Sequence, residues 1–475
     1  METGGNQQGI DPARLQVALE VLRELDELDP EHPDAITLRR ATAHVYKSVK
    51  VRRRSQKRAS ITAADEEVTN RTATGARDRI DDETRGVLLQ AKAESEVVGT
   101  LHRARSCYIC KNRYREVHAF YHQLCPTCAA LNWAKRDQHV DLTGRRALLT
   151  GGRAKIGMYI ALMLLRDGAE LTITTRFPHD AVRRFSAMPD SARWLHRLRV
   201  VGIDLRDPAQ VVRLADDVAA QGPLDVLVNN AAQTVRRSKQ SYAALVAAEH
   251  AAEALETSVP IVDLRSPSGE IEAAIGTRMT PEAVTALALT SGSASLSRVE
   301  QGIAIDAGGL VPDLDPANSW SRRVHEVDPV EMLEVQLCNS VAPFILVSRL
   351  RPALAATQHR RSYVVNVSAM EGQFSRRYKG AGHPHTNMAK AALNMLTRTS
   401  ADDMLAEGIL MTAVDTGWIT DERPHPTKAR LHDEGFHAPL DLVDGAARVY
   451  DPIVQGEQGV DLHGCFLKDF RPSPW

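Results

Sequence analysis

The chain has 475 residues, 43% of them hydrophobic, and sets 59 Lys and Arg against 60 Asp and Glu. That length holds one sizeable core of about 250 residues plus smaller modules, and the balanced charge argues against a protein directed as a whole to nucleic acid. Six cysteines do not form a disulfide framework, no apolar run approaches the ~18 residues of a membrane helix, and the first residues lack a basic-then-apolar pattern, so a cytoplasmic protein without membrane contact is expected.

In chain order, residues 11 to 46 read as two helices, one from Ala13 through Leu28 and one from Pro33 through Tyr46, with apolar residues at helical spacing. A basic run from Lys47 to Arg58 follows. It reads as a solvated helix face or a tether; no interleaved aromatics support base stacking, so nucleic acid is not an expected partner. Residues 59 to 85, rich in Thr, Asp, Glu, Arg and Gly, read as a linker. The expected organisation is a helical region over 1–58, a linker and helix over 59–100, a small metal module over 101–138 and an α/β domain over 139–475.

The metal module is read from Cys107-Tyr-Ile-Cys110 and, after fourteen residues, Cys125-Pro-Thr-Cys128. Two such knuckles present four thiolates to one ion, which predicts a closed structural zinc site with no open position for catalysis. His118 and His122 lie between the knuckles and are read as bystanders. The module either binds a protein partner or staples the N-terminal region to the rest.

Next come an apolar strand ending in Leu148-Leu149, the turn Thr150-Gly151-Gly152-Arg153-Ala154-Lys155-Ile156-Gly157, and an amphipathic helix to Leu165. Glycines allow the sharp turn and let backbone N–H groups approach a pyrophosphate, and the helix N-terminus adds partial positive charge. The strand Glu170 to Arg176 completes a βαβ unit. Asp204-Leu205 follows a further strand, Asn229-Asn230-Ala231 ends another, and then come Asn339, Ser368 at the end of Tyr363-Val-Val-Asn-Val, and Thr416-Gly417-Trp418-Ile419-Thr420. In order and spacing these resemble the motifs of the short-chain dehydrogenase/reductase family over roughly residues 140 to 475.

The resemblance implies a doubly wound parallel α/β (Rossmann-type) sheet. It also implies a cofactor site built from Thr150, Gly151, Gly152, Arg153, Lys155, Ile156, Gly157, Arg176, Asp204, Leu205, Asn230, Ala231, Lys390, Gly417, Ile419 and Thr420, and a catalytic set of Asn339, Ser368 and Lys390. Lys155 stands where the family has its middle glycine. More consequentially, His385-Thr386-Asn387-Met388-Ala389-Lys390 places Thr386 where the family has its tyrosine. A tyrosine titrates near ~10 and needs only about 4 kcal/mol of nearby positive charge to reach neutrality, whereas an aliphatic alcohol is out of reach. Another donor is needed, and the long segment before Lys390 offers Tyr378 first and His385 second.

Cofactor choice follows from charge. The second strand ends in Thr174-Thr175-Arg176 with no carboxylate, and the glycine loop carries Arg153 and Lys155. All three cations point to NADP(H) rather than NAD(H). Between Asn230 and Asn339 the chain carries an insertion, about 235–330, that includes an alanine-rich helix near Tyr242 to Leu255, the strand-like Val259 to Asp263, a helix from Thr280 to Leu289 and the loop Asp306 to Asp313. It reads as a lid or substrate-specificity element. The expected function is an NADP(H)-dependent oxidoreductase acting on a small carbonyl or alcohol, with an inactive cofactor-binding regulatory or scaffold protein as the alternative. A homo-oligomer is compatible with the sequence.

Overall fold

The computed structural model describes residues 9–77, 79, 96–237, 241–242, 245–246, 249, 258–265, 310, 315–376, 378–420 and 422–475. Two units divide the chain: residues 1–67 with 101–103, and residues 68–100 with 104–475. In the first, α1 (Pro12–Glu24) opens at Asp11, whose side chain accepts from the N–H groups of Ala13 and Arg14. After it comes α2 (Pro33–Asn70), and Asp65 near its end accepts from the backbone N–H groups of His102 and Arg103 at 2.6 and 3.1 Å.

This corrects the expected boundaries. The basic run is the solvated helix face, one of its two expected readings, and residues 59–70 are not a linker: both belong to one 38-residue helix with the segment from Pro33. From Asp34 to Asn70 there is no glycine or proline, and the charged residues that suggest a linker by composition are also good helix formers. Nor are residues 72–76 a solvated tether. Ala73 and Thr74 donate to the carbonyls of Ala119 and Phe120, and all five residues are buried.

In the second unit, apart from residues 101–103, β1 (Val97–Ser106) pairs antiparallel with β2 (Arg113–His118), and α3 (Pro126–Arg136) follows. The α/β part then runs β3 (Arg146–Leu149), α4 (Lys155–Arg166), β4 (Glu170–Thr175), α5 (Pro178–Ser186), β5 (Leu198–Gly202), α6 (Pro208–Ala220), β6 (Val226–Asn229) and β7 (Ile261–Asp263). It continues with α7 (Pro329–Gln336), α8 (Ala342–Ala355), β8 (Ser362–Ser368), α9 (Pro384–Leu405), β9 (Ile409–Asp415), α10 (His425–Asp433), α11 (Leu442–Glu457), β10 (Phe466–Lys468) and β11 (Arg471–Ser473).

Among the described residues these strands form one sheet in the order β11-β10-β9-β8-β6-β3-β4-β5-β7, parallel except for β11. The expected doubly wound α/β fold is therefore present. Strands such as β8 and β9 are buried along their whole length, as a parallel sheet covered on both faces requires. On one face α6, α8 and α9 share a core of Val211, Leu214, Leu346, Leu350, Ala401 and Met404, while α4 and α11 pack together over the other. Strand order reverses between β3 and β6, which opens a crevice at the C-terminal strand ends, the usual ligand position in such sheets.

The strand expected within the insertion over Val259 to Asp263 is present as β7, which extends the sheet edge beside β5. The helix expected over 280–289 lies outside the described residues, as do most of the alanine-rich helix and all of the 306–313 loop except Leu310. The continuous helix Pro329–Ala355 is long and apolar enough in composition to cross a membrane, a length the sequence reading did not anticipate, and half of its apolar window is buried. Leu346, Val347, Leu350 and Leu354 are buried in the core, whereas Leu333 and Phe344 are exposed.

Candidate cofactor and active site

At the switch point, backbone geometry comes first. Thr150 Oγ1 accepts from the N–H groups of Asn230 and Ala231, each at 3.0 Å, and Asn230 Nδ2 donates to the carbonyls of Thr150 and Gly151 at 3.0 and 3.1 Å. These bonds pin the glycine loop to the end of β6. A Cβ on Gly157 would lie 2.0 Å from the Gly151 carbonyl oxygen, and Gly151 itself has φ of 71°, so both positions require glycine. Lys155 takes φ of 53°, the left-handed region a glycine would prefer, and is accommodated there.

A cavity of about 420 Å³ opens above this loop. Of the expected cofactor residues, Gly151, Arg153, Lys155, Ile156, Gly157, Arg176, Asp204, Leu205, Asn230, Ala231, Ile419 and Thr420 line it. Thr150, Gly152, Gly417 and Lys390 are not among its lining residues. Phe177, Arg206, Gln233, Tyr242, Glu334, Cys338 and Glu422 also line it and were missed by motif reading. Phe177 and Arg206 directly follow predicted positions, whereas Tyr242 sits in the insertion, where no motif signals it.

The three loop cations are not equivalent. Arg153 lies 2.5 Å from Asp180, whose carboxyl, raised by burial, is pulled below its usual range by Arg153 and Arg184, so the Arg153 charge is balanced within the protein. Arg176 stays exposed at the end of β4, donates to the Tyr242 hydroxyl at 3.1 Å and lies over the Tyr242 and Phe177 rings at 5.0 and 5.7 Å. Lys155 reaches Glu422, 3.8 Å away. Burial alone would raise the Glu422 carboxyl, but Lys155, then Lys428 and Arg237, bring it down to about 2.

The catalytic candidates Asn339, Ser368, Thr386 and Lys390 are not among the residues that line the cavity. Asn339 sits in a π-helical turn, Leu337–Val341, and its amide both accepts from the Gln233 N–H at 2.7 Å and donates to the Gln233 carbonyl at 3.0 Å. Ser368, Thr386 and Lys390 are all buried. Lys390 Nζ donates to the Val367 carbonyl at 2.8 Å, and its burial lowers the ammonium to about 8. Ser368 Oγ lies 2.5 Å from Asn394 Oδ1. Thr386, Lys390 and Asn394 are spaced by four on α9 and so share one face; Asn394 is the member that motif reading missed and helical spacing could have found.

The two sequence-predicted donors lie elsewhere. Tyr378 is 75% exposed on its loop. His385 is buried against α7, its Nε2 3.4 Å from Glu331. The segment before α9 is pinned at His383, which stacks on Trp320 at 3.9 Å and bonds its carbonyl. These histidines hold the long loop down.

The four cysteine sulfurs of the metal module lie within 4.8 Å of one another, with Cys110 and Cys125 3.7 Å apart. A tetrahedral zinc with Zn–S of about 2.3 Å needs sulfurs about 3.8 Å apart, so the set fits that ion. His118 and His122 stand outside it, the former accepting from the Phe120 N–H and the latter bonded to Thr74. The module is docked on α11: Tyr121 donates to Asp444 at 2.6 Å, and Arg136 bonds both Asp441 oxygens at 2.6 and 3.0 Å.

A glycine loop at the switch point of a parallel sheet, an asparagine at the end of the strand beside it, and a buried serine and lysine define a Rossmann-type α/β class. Residues 145–257 match the family model for short chain dehydrogenase. The chain is 31% identical over 367 residues to an uncharacterized protein of Acanthamoeba polyphaga mimivirus, covering 74% of this chain and 71% of that one. It is 41% identical over 92 residues to a probable oxidoreductase of Streptomyces antibioticus, covering 19% and 30% respectively. Among solved structures, a short chain dehydrogenase from Burkholderia cenocepacia J2315 in complex with NADP is 21% identical, covers 69% of this chain and 97% of that one, and has a TM-score of 0.43. The chain belongs to the short-chain dehydrogenase family, and is by that membership an oxidoreductase of the short-chain type.

Proposed function

We propose that the protein is an NADP(H)-dependent oxidoreductase that reduces a carbonyl group or oxidises the corresponding alcohol, with zinc as a structural ion in the four-cysteine module. The observation that carries this reading is the cavity at the switch point, whose adenosine end presents Arg176 and, among the described residues, no unbalanced carboxylate at the end of β4. Asp204, the acid nearest in sequence among its lining residues, is bound to Arg206 at 2.6 Å. Arg176, beside the stacked Phe177 and Tyr242 rings, would hold a 2′-phosphate; the loop from Gly151 to Gly157 and the start of α4 would hold the pyrophosphate.

When bound, NADPH supplies a hydride; the proton for the substrate oxygen must come from this chain. Lys390 is the group suited to give it. Its ammonium is lowered to about 8 by burial and so exchanges protons near neutral pH. Thr386, one turn away on the same face of α9, has a buried hydroxyl without a hydrogen-bond partner in the structure. A hydroxyl accepts one proton while donating another without ionising, so Thr386 serves as a relay where a tyrosine would serve as an acid. Ser368 stays the group that polarises the substrate oxygen. The orphaned Asn394 Nδ2 supports this: with the amide reversed, Nδ2 donates to Ser368 Oγ and leaves the hydroxyl proton for substrate.

Calorimetric titration with NADPH and, separately, NADH tests the reading. Saturable binding with NADPH preferred by tenfold or more is expected; binding of neither would overturn it.

A further inference from the structure

The hydroxyl of Tyr108 accepts from the backbone N–H of Trp418 at 2.9 Å. Tyr108 lies inside the first cysteine knuckle, between Cys107 and Cys110. Trp418 immediately precedes Ile419 and Thr420, which line the cofactor cavity. We propose that the four-cysteine site is coupled to the cofactor site, with Tyr108 as the positioning residue that transmits metal occupancy to the segment 417–420.

The geometry on each side is fixed. In the knuckle, the Cys107 N–H donates to the Asn112 carbonyl at 2.9 Å, the Lys111 N–H returns to the Cys107 carbonyl at 3.1 Å, and the Tyr108 N–H donates to the Gln123 carbonyl at 2.8 Å. The direction of the Tyr108 ring is thus set by the same turn that presents Cys107 and Cys110 to the ion. On the loop side, Gly417 donates to Asp415 at 3.0 Å and has φ of 78°, and the Trp418 carbonyl accepts from Leu440 at 3.3 Å. The Trp418 N–H is thereby left for Tyr108 alone. Metal loss relaxes a turn held by two thiolates, moves the phenol, and releases a backbone amide beside the cavity wall.

The inference rests on the proposed NADP(H) reading and goes beyond it, because coupling between two binding sites is reciprocal. Whatever factor zinc adds to NADPH affinity, NADPH must add to zinc affinity. A single neutral hydrogen bond sets the scale at about two- to tenfold.

The test is zinc affinity of the full chain, measured by competition against a chromophoric chelator with and without saturating NADPH, in the wild type and in Tyr108→Phe. The phenylalanine keeps the ring and removes only the acceptor. In the wild type, NADPH should tighten zinc binding by about two- to tenfold. Tyr108→Phe should keep one zinc per chain and its melting temperature within a few degrees, weaken NADPH by the same factor, and make zinc affinity indifferent to NADPH. Zinc affinity unchanged by NADPH in a wild type that binds NADPH would overturn the coupling alone. Failure of the wild type to bind NADPH would overturn the cofactor reading, and the coupling with it.

Discussion

The Lys155 ammonium lies 3.8 Å from the Glu422 carboxylate and joins the glycine loop to the segment beyond β9 across the cavity mouth. The family's glycine is thus replaced by a residue that keeps glycine's backbone conformation and adds a cross-cavity ion pair. Glu422 is held at about 2 against an ordinary value of 4.5. Its folded value is depressed, so its stabilisation is full above pH 4.5 and is lost as pH falls toward 2. The shift corresponds to about 3 kcal/mol. Lys155→Met removes the first of its cationic partners and should lower the melting temperature at pH 6 to 7 by several degrees, with the gap to wild type closing as pH approaches 2. An equal gap at all pH values would show that the pair contributes nothing.

Arg176 is the cation of the cavity that the protein leaves exposed at the end of β4, since Arg153 is balanced by Asp180. Arg176→Ser should therefore weaken NADPH by about tenfold or more, the scale of a charge-assisted phosphate contact, and leave NADH within about twofold. Calorimetry with both cofactors reads this directly. Equal losses for the two would assign Arg176 to packing against Phe177 and Tyr242 instead.

Gly157 carries a structural prediction. Its added Cβ would meet a backbone oxygen at 2.0 Å, which no rotamer change relieves. Gly157→Ala should cost about 3 kcal/mol or more in urea unfolding, at the upper end for overpacking, and should abolish NADPH binding because the loop must shift away from β6. A fully folded variant with wild-type affinity would show that the loop has slack the structure does not display.

The sheet and most of the cofactor wall were legible because their signals are local. Apolar runs such as Tyr363 to Val367 mark parallel strands, and Thr150, Gly151, Gly157 and Asn230 do their work through backbone contacts at fixed spacing. Residues 59–70 were misread because a solvated helix and a linker share a composition; the absence of glycine and proline was the better guide. What could not be read is long-range: Tyr108 meets Trp418 across 310 positions and Tyr121 meets Asp444 across 323. The same holds for His385, whose place beside Thr386 in sequence suggested chemistry. Successive helical residues point in different directions, and its ring faces Glu331 on α7.

The donor assignment yields the sharpest pH prediction. Lys390 is lowered from 10.5 to about 8, chiefly by burial, with Cys338 and Glu371 opposing. Its charged form is the costly one in the folded state, so between pH 8 and 10.5 the unfolded chain binds more protons and Lys390's contribution to stability rises with pH. Reduction needs the charged form, so kcat for carbonyl reduction should fall tenfold per pH unit above about 8, while stability does not fall with it. Thr386→Val, which keeps the shape and removes the hydroxyl, should lower kcat by about a hundredfold with NADPH affinity unchanged, the scale of general acid catalysis. Tyr378→Phe should leave turnover unaltered. If instead Tyr378→Phe is inactive and Thr386→Val turns over normally, the exposed loop must close over Ser368 during the reaction, and the proton comes from the phenol rather than from Lys390.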